Sequence, residues 1–226
     1  FSSYAIKNKT LCPYDSVRDI SAATQDDAII AVDTGATVCW VYQAFGRKEH
    51  NIFTDGGCSA MGYSLPAAIA AKLENPESQV ICIIGDGGFM INIQELQTVI
   101  YYDLEIKIII FNNHGYGIIR QFQDSYLDSR YEAVGHGDKH PDIGAIANAW
   151  GISHTEINKP DQITPDLLSK PGAAILEIMI DDNTPIEPKL EMGRPINDQY
   201  PYLNHEEYQA GNQFFNYARP PDKTSP

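Results

Sequence analysis

The sequence has few cysteines, few basic residues and no long apolar run, and each shortage argues against a class of protein. The four cysteines, Cys12, Cys39, Cys58 and Cys82, form no CxxC pair, as expected for buried free thiols in a reducing compartment. Sixteen basic against thirty acidic residues give a formal charge of −14, which disfavours nucleic acid and anionic membranes as partners. No apolar run approaches the roughly 20 residues that span a bilayer, and no signal peptide opens the chain. We therefore expect a cytoplasmic protein.

The length and composition predict a globular chain with one sizeable core or two small ones, because 43% of its 226 residues are hydrophobic. Residues 1–14 and 183–226 are rich in Pro, Asn and Tyr and have little periodicity. We interpret them as an N-terminal linker and a C-terminal tail around a domain at 15–182. The first residue is Phe1, which suggests a chain cut from a longer one or trimmed at its N-terminus.

Short runs rich in Ile and Val alternate with helical patterns along the chain. The strand candidates are Ala28–Val32, Asn51–Thr54, Gln79–Ile84, Ile106–Phe111, Ile152–Glu156 and Ala173–Ile180. The helix candidates are Thr37–Phe45, Ala60–Leu73, Ile91–Tyr102, Gly117–Gln123, Asp142–Trp150 and Pro160–Leu168. This alternation predicts an α/β fold, a doubly wound and mainly parallel sheet of about six strands with helices on both faces.

Two polar motifs follow neighbouring strands of the predicted sheet. Gly85-Asp86-Gly87 comes directly after one strand, and Asn112-Asn113 comes directly after the next. Strands joined by a crossover end at the same edge of a parallel sheet, so the Asp86 and Asn113 side chains can converge there. One carboxylate, one amide oxygen and a main-chain carbonyl suit Mg²⁺ that is completed by phosphate oxygens and water. Backbone N–H groups at Gly87 and Gly88, ahead of a helix predicted from Ile91, suit a phosphate.

Turn chemistry offers a plainer interpretation of both motifs, since GDGG and NN are common in tight turns. The glycine motif also lacks the GxGxxG spacing of dinucleotide sites. The combination is more specific than either part. GDG, then some two dozen residues, then NN resembles the signature of thiamine-diphosphate enzymes.

Further motifs resemble the acetolactate synthase-like members of that family. They are GGCSAMGYSLPAAIAAKLENP (Gly56–Pro76), NNHGYGIIRQFQ (Asn112–Gln123) and PDIGAIANAWGI (Pro141–Ile152). The resemblance covers roughly residues 12 to 190, a domain-sized stretch. It implies the C-terminal diphosphate-binding (PP) domain of such an enzyme, with the thiamine-diphosphate-binding fold and with thiamine diphosphate and Mg²⁺ as cofactors.

The resemblance also implies roles for individual residues. The metal ligands would be Asp86, Asn113 and the main-chain carbonyl of Gly115. The other cofactor contacts fall on Ser59 and Met61 at the aminopyrimidine ring, Gly87 and Gly88 at the diphosphate, and Gly117 and Ile118 near the thiazolium. Met61 matches the large apolar residue that holds the cofactor bent; the alternative is an ordinary core methionine.

Two departures from the family pattern stand out. A Gln/His pair often found in the first βα loop is replaced here by Ala36 and Thr37, which leaves the phosphate contacts of this loop open. The family's activating glutamate lies on a separate pyrimidine-binding (PYR) domain, for which this chain has no room. No catalytic residue is therefore expected in this chain, and the PYR domain would come from missing sequence or from another polypeptide.

The function implied is that of a thiamine-diphosphate-dependent lyase or transferase acting on a 2-oxo acid, as a decarboxylase or carboligase. The chain alone would be incomplete, and a homo-oligomer such as a homodimer is expected. Two alternatives stay open: the small PP subunit of a split enzyme, and a non-catalytic module that binds thiamine diphosphate.

Three further groups of residues have two interpretations each. His114, beside Asn113, would face substrate or point outward. Tyr126 and Tyr131 would belong to an active-site loop or to ordinary packing. His136 and His140 have a spacing that suits a metal on a helix, but their glycine neighbours favour a solvated loop.

Overall fold

A computed structural model of the chain describes residues 11–46, 49–134 and 141–212. His136, His140, most of the predicted linker and the last residues of the predicted tail lie outside these ranges. The chain divides into two compact units, with the boundary between Pro185 and Ile186. No helix among the described residues is both long enough and apolar enough to cross a bilayer.

The first unit is built around one sheet of six strands. The strands are β1 (Ile29–Val32), β2 (Asn51–Phe53), β3 (Val80–Gly85), β4 (Ile106–Asn112), β5 (Ser153–Ile157) and β6 (Ala174–Met179). All neighbours pair in parallel, in the order β2-β1-β3-β4-β6-β5. The prediction of a doubly wound parallel sheet is confirmed, and each of the six predicted strands overlaps an observed one.

The helices of this unit connect the strands. They are α1 (Pro13–Ala23), α2 (Ala36–Ala44), α3 (Ser64–Glu74), α4 (Asp86–Ile91), α5 (Leu96–Tyr101), α6 (Gly117–Tyr126), α7 (Ile143–Ala149) and α8 (Pro165–Ser169).

Alternate side chains of the central strands enter two separate apolar cores, one on each face of the sheet. On β4, Ile109 and Phe111 pack with residues of α1 and α2, whereas Ile108 and Ile110 pack with residues of α3, α5 and α7. A strand directs successive side chains to opposite faces, so a strand with helices on both sides is apolar throughout. This burial explains why most residues of β4 are Ile or Phe.

Several helices differ from the sequence-based expectation. The helix predicted from Ala60 begins at Ser64, and the helix predicted at Pro160–Leu168 is a 3₁₀ turn at Pro160–Gln162 followed by α8. Helix α1 begins at Pro13, inside the predicted linker, and the preceding Leu11 forms a parallel bridge with Ile180. The predicted helix from Ile91 starts instead at Asp86, and a 3₁₀ turn at Ile93–Glu95 separates α4 from α5. An aspartate in the first turn favours this early start, because its charge complements the positive end of the helix dipole.

The order of the strands creates a crevice at one edge of the sheet. From β1 the chain builds outward to β2, then returns to the other side of β1 to form β3. The carboxyl ends of β1 and β3 therefore lie side by side where the direction of winding reverses, the usual place for a ligand in such sheets. Asp33, Asp86 and Asn113 directly follow β1, β3 and β4 at this edge.

The second unit is small. It contains helix α9 (His205–Asn212), and Lys189 and Tyr200 form an antiparallel bridge within it. Arg194 Nη1 lies 2.8 Å from Asp198 Oδ2, and its guanidinium lies 4.1 Å from the centre of the Tyr202 ring. The described part of the segment predicted as an aperiodic tail thus contains local polar contacts and a short helix.

Candidate functional site

A cavity of about 470 Å³ lies at the carboxyl edge of the sheet. Its wall comes from residues 33–40 after β1, from the loop before α3, from the first turn of α4 and from the segment after β4. All the predicted cofactor-binding residues except Asp86 line it: Ser59, Met61, Gly87, Gly88, Asn113, Gly115, Gly117 and Ile118. Cavities of this size commonly hold organic ligands.

Asp86 lies behind this wall and joins the ends of β3 and β4. It is only 4% exposed, and its carboxylate accepts a hydrogen bond from the Gly115 amide at 2.9 Å. The other carboxylate oxygen accepts from the Gly87 amide at 2.8 Å. The two motifs therefore converge. The expectation that Gly87 presents an open N–H is not met, because that N–H donates to Asp86.

The two asparagines after β4 have different surroundings. The Asn112 side-chain amide donates to Glu177 Oε1 at 2.6 Å, and its oxygen accepts from the His114 amide at 3.0 Å. Glu177 Oε2 in turn lies 2.8 Å from His154 Nε2 on β5. Asn113 is also buried, but its side chain makes no hydrogen bond within the described ranges and faces the cavity. Asn112 anchors the turn, whereas Asn113 keeps its amide group available for a ligand.

Ser59 and Met61 lie on the loop that precedes α3. Ser59 has a left-handed backbone (φ 53°), and its hydroxyl forms a hydrogen bond with the Thr34 hydroxyl. Met61 is 38% exposed, which places its side chain at the wall of the cavity and outside the two apolar cores.

His114 is held by polar contacts outside the residues that line the cavity. Its Nδ1 lies 2.9 Å from Asp182 Oδ1, and both side chains are about half exposed. Arg120 on α6 donates to the main-chain oxygens of Asp182 and Val134. Of the two interpretations of His114, the structure favours a partner in the protein over a direct contact with a ligand in the cavity.

Sequence reasoning missed Asp33. It is 2% exposed and lines the cavity, and its carboxylate accepts from the Gly62 amide at 3.0 Å and the Ser64 amide at 3.4 Å. The available signal was its position, because Asp33 follows β1 just as Asp86 follows β3. An acid directly after a buried parallel strand lies at the edge where ligands bind.

The wall after β1 is otherwise apolar or small. Ala36 and Thr37, which replace the Gln/His pair of the resembling family, both line the cavity. Trp40 packs edge-to-face on Phe111, with ring centroids 5.6 Å apart. Its buried Nε1–H has no hydrogen-bond partner in the part of the chain that the structure describes. This wall therefore presents mainly apolar surface to a ligand in the cavity.

Comparison with known families identifies the domain. The family described as "Thiamine pyrophosphate enzyme, C-terminal TPP binding domain" matches residues 33–178, which include every segment of the cavity wall. The chain belongs to the thiamine pyrophosphate enzymes. The domain around the sheet is the cofactor-binding domain of this family, and thiamine diphosphate is its cofactor.

Relatives of this thiamine pyrophosphate enzyme domain include large subunits of acetolactate synthase. The chain is 34% identical to the one from Lactococcus lactis over 84% of its own length and 34% of the relative. It is 33% identical to the one from Cyanidium caldarium over 83% of its length, and 32% identical to Escherichia coli isozyme 1 over 81%. The chain spans about a third of the length of these relatives: 32% of the Cyanidium caldarium protein and 33% of the Escherichia coli protein.

The residues present fit the cofactor of a thiamine pyrophosphate enzyme. The apolar wall at Trp40, Phe111 and Ile118 suits flat aromatic rings. The oxygen atoms of Asp86 and Asn113 belong to the hard donor class that divalent cations bound to phosphate prefer. Within the described ranges no group of three or more His, Cys, Asp or Glu side chains could hold a metal ion by itself. The phosphate oxygens of a bound diphosphate would supply the further ligands that a metal ion needs.

Burial of Asp33 predicts a pH dependence for the stability of this thiamine pyrophosphate enzyme domain. Burial raises the pKa of Asp33 above 3.8, although the amides of Gly62 and Ser64 that donate to it act in the opposite direction. A carboxyl group with a raised folded-state pKa binds its proton more tightly in the folded state. Its contribution to stability therefore decreases as the pH rises from 3.8 through the raised pKa.

We expect the free energy of unfolding of the wild type, relative to Asp33→Asn, to decrease with rising pH across that window. Chemical denaturation of both proteins at a series of pH values measures this difference. A difference that is constant, or that grows with pH, would contradict the assignment of a raised pKa.

Proposed function

We propose that this chain is the PP domain of a thiamine-diphosphate- and Mg²⁺-dependent enzyme that acts on 2-oxo acids. The reaction would be decarboxylation, followed by transfer of the carbanion equivalent to a proton or to a second carbonyl compound. The single observation that carries this proposal is the convergence of Asp86 and the Asn113–Gly115 turn beside the cavity. The names of the relatives, acetolactate synthase large subunits, favour the carboligase version.

The metal would be held by Asp86, Asn113 and the carbonyl of Gly115. Asp86 is the charged ligand of this set, and its carboxylate lies beside the Gly87 and Gly115 amides, from which it accepts hydrogen bonds. The Gly115 carbonyl accepts the Gly117 amide at 3.1 Å and has a second lone pair. One carboxylate, one amide and one carbonyl leave positions for phosphate oxygens and water, as Mg²⁺ prefers.

When bound, thiamine diphosphate supplies the carbon nucleophile and the electron sink for cleavage of the bond between the carboxyl and carbonyl carbons. The residues of this chain bind and orient. The first turn of α4 would lie at the diphosphate end of the cofactor, and Ile118, Trp40 and Phe111, which line the cavity, would exclude water at its ring end. A low-polarity wall strengthens the electrostatic interactions made inside it.

The proton transfers that activate the cofactor need a group from outside this chain. Within the described ranges no glutamate lines the cavity, and Asp33 is engaged by two backbone amides. We therefore propose that the activating glutamate comes from a PYR domain, either elsewhere in a longer polypeptide or on another chain. A homo-oligomer would bring the two domains together across a subunit interface.

Removing the charge of Asp86 tests the metal site. Asp86→Ala, and Asp86→Asn as a variant of nearly equal size, should lower the affinity gained on adding Mg²⁺ to thiamine diphosphate by more than about 100-fold. Asn113→Ala removes a neutral ligand and should cost about tenfold. Calorimetric titration of the enzyme that contains this chain, with and without Mg²⁺, measures both effects.

The matched control is Asp142→Asn. Asp142 also accepts a backbone amide, that of Ala145 at 2.8 Å, but it lies at the start of α7 and does not line the cavity. It should bind as the wild type does. Equal Mg²⁺ dependence in the wild type and both Asp86 variants would remove the metal assignment.

Met61 gives a second test, because its two interpretations predict different stabilities. If it supports the bent cofactor, Met61→Ala should lower kcat in the complete enzyme and hardly change the unfolding of the cofactor-free protein. A core methionine would cost about 2–5 kcal/mol on truncation. Leu65→Ala is the control, because Leu65 is 0% exposed and four residues along the same segment, and it should show that full cost. A loss at Met61 as large as that at Leu65 would make Met61 a core residue.

A further inference from the structure

We propose that Asp33 is a positioning residue, which acts together with Asn92 to hold the Met61 loop, residues 59–64, against helix α4. This inference rests on the proposed function, since α4 carries Asp86 and the loop carries Met61. The claim that Asp33 and Asn92 hold the loop depends only on contacts within this chain.

Both peptide groups of Gly62 in the loop form hydrogen bonds with other parts of the chain. The Gly62 N–H donates to Asp33 Oδ2 at 3.0 Å, and the Gly62 carbonyl accepts from Asn92 Nδ2 at 3.0 Å. Asp33 follows β1 and Asn92 directly follows α4, so the peptide groups of one loop residue join two different elements. Both hydrogen bonds are immediately C-terminal to Met61.

The backbone at Gly62 can make these two hydrogen bonds only because this residue has no side chain. Gly62 has φ +79°, a conformation that L side chains rarely adopt, and a Cβ there would lie 3.0 Å from Asn92 Nδ2 and 3.1 Å from the Gly88 carbonyl oxygen. The close approach brings the loop within contact of the first turn of α4. Gly88, the residue in this contact, also lines the cavity.

Asp33 fills the space between the loop and α4. A Cβ built on Gly88 would lie 2.1 Å from Asp33 Oδ2, so the carboxylate occupies the space that a side chain at Gly88 would need. Its other oxygen accepts the Ser64 amide, and the adjacent Thr34 hydroxyl contacts the Ser59 hydroxyl. The end of β1 thus holds the loop at three residues, on both sides of Met61.

A carboxylate suits this position better than an amide. Two backbone N–H groups approach two different oxygens of Asp33, and an asparagine has only one oxygen acceptor to offer. Burial of the charge is unfavourable, which is why the pKa of Asp33 is raised. The two hydrogen bonds that fix the conformation of the loop offset this unfavourable burial. Because α4 begins with Asp86, which binds Gly115, the same contacts hold Met61 in register with the proposed metal site.

Hydrogen–deuterium exchange of the cofactor-free enzyme tests the holding of the loop directly. In Asp33→Asn and in Asn92→Ala we expect the amides of residues 62–64 to exchange about tenfold faster, because each variant removes a hydrogen bond to the loop. Exchange in β3 and β4 should stay at the wild-type rate. The control Asp142→Ala removes the oxygen that accepts the Ala145 amide, so it should accelerate exchange at Ala145 and leave residues 62–64 unchanged.

Cofactor binding and kinetics, compared with the melting temperature, distinguish a role in positioning the loop from a role in stability alone. Both variants should weaken binding of thiamine diphosphate with Mg²⁺ about tenfold and lower kcat more than they raise KM, while the melting temperature changes by a few degrees at most. Unchanged exchange at residues 62–64 in both variants would overturn the proposal. So would accelerated exchange throughout the sheet in both, because Asp33 and Asn92 would then only support the fold.

The two proposals fail in different ways. If the wild type binds thiamine diphosphate with no dependence on Mg²⁺, the metal assignment fails. Exchange at residues 62–64, measured without cofactor, still decides whether Asp33 and Asn92 hold the loop. If Asp33→Asn does not fold, Asn92→Ala alone gives the answer, since Asn92 is only partly buried and binds the same residue from the other side.

Discussion

The hydrogen bond that the Asp86 carboxylate accepts from the Gly115 amide joins the ends of two adjacent strands, and the rest of the site is arranged around it. A buried carboxylate is stable only when its oxygens are engaged, and here two backbone amides engage them. Those amides belong to the first turn of α4 and to the turn after β4. One side chain therefore fixes the distance between the two segments that would hold a diphosphate and its metal.

The sheet makes this arrangement possible because its strands are parallel. Each crossover returns the chain to the same edge, so residues far apart in sequence end as neighbours at the carboxyl ends of β1, β3 and β4. The apolar interior of these strands supplies rigidity on both faces, and polar side chains follow each strand where it ends. A second set of hydrogen bonds, from Asn112 through Glu177 to His154, links the end of β4 to β6 and β5; none of these three residues lines the cavity.

Much of the fold could be predicted from the sequence because its inner strands, β1, β3, β4 and β6, are buried on both faces and therefore rich in apolar residues. β4 is the clearest example, and all its residues are buried. The early start of α4 could not be predicted so easily, since a helix that opens with Asp-Gly-Gly has weak propensity and depends on contacts made by Asp86. Helix α1 was missed because it follows a segment rich in polar residues, and its support comes from tertiary packing.

The candidate site likewise has features that could be predicted from the sequence and features that could not. Asp86 and Asn113 could be placed at one edge of the sheet from motif spacing and crossover geometry alone. Asp33 follows β1 at the same edge, but its hydrogen bonds to the loop could not be predicted, because the path of that loop depends on Gly62 and Asn92. The use of the Gly87 amide by Asp86 was also hidden, since a local side-chain contact within a turn leaves no periodic signal in sequence.

The central claim is that this edge of the sheet binds the divalent cation of a thiamine-diphosphate enzyme. Anomalous scattering from Mn²⁺, in crystals of the enzyme grown with thiamine diphosphate, tests that claim most directly. The account predicts one strong peak at bonding distance from the Asp86 carboxylate, the Asn113 side-chain oxygen and the Gly115 carbonyl. A bound cofactor with the Mn²⁺ peak away from these three groups would contradict it.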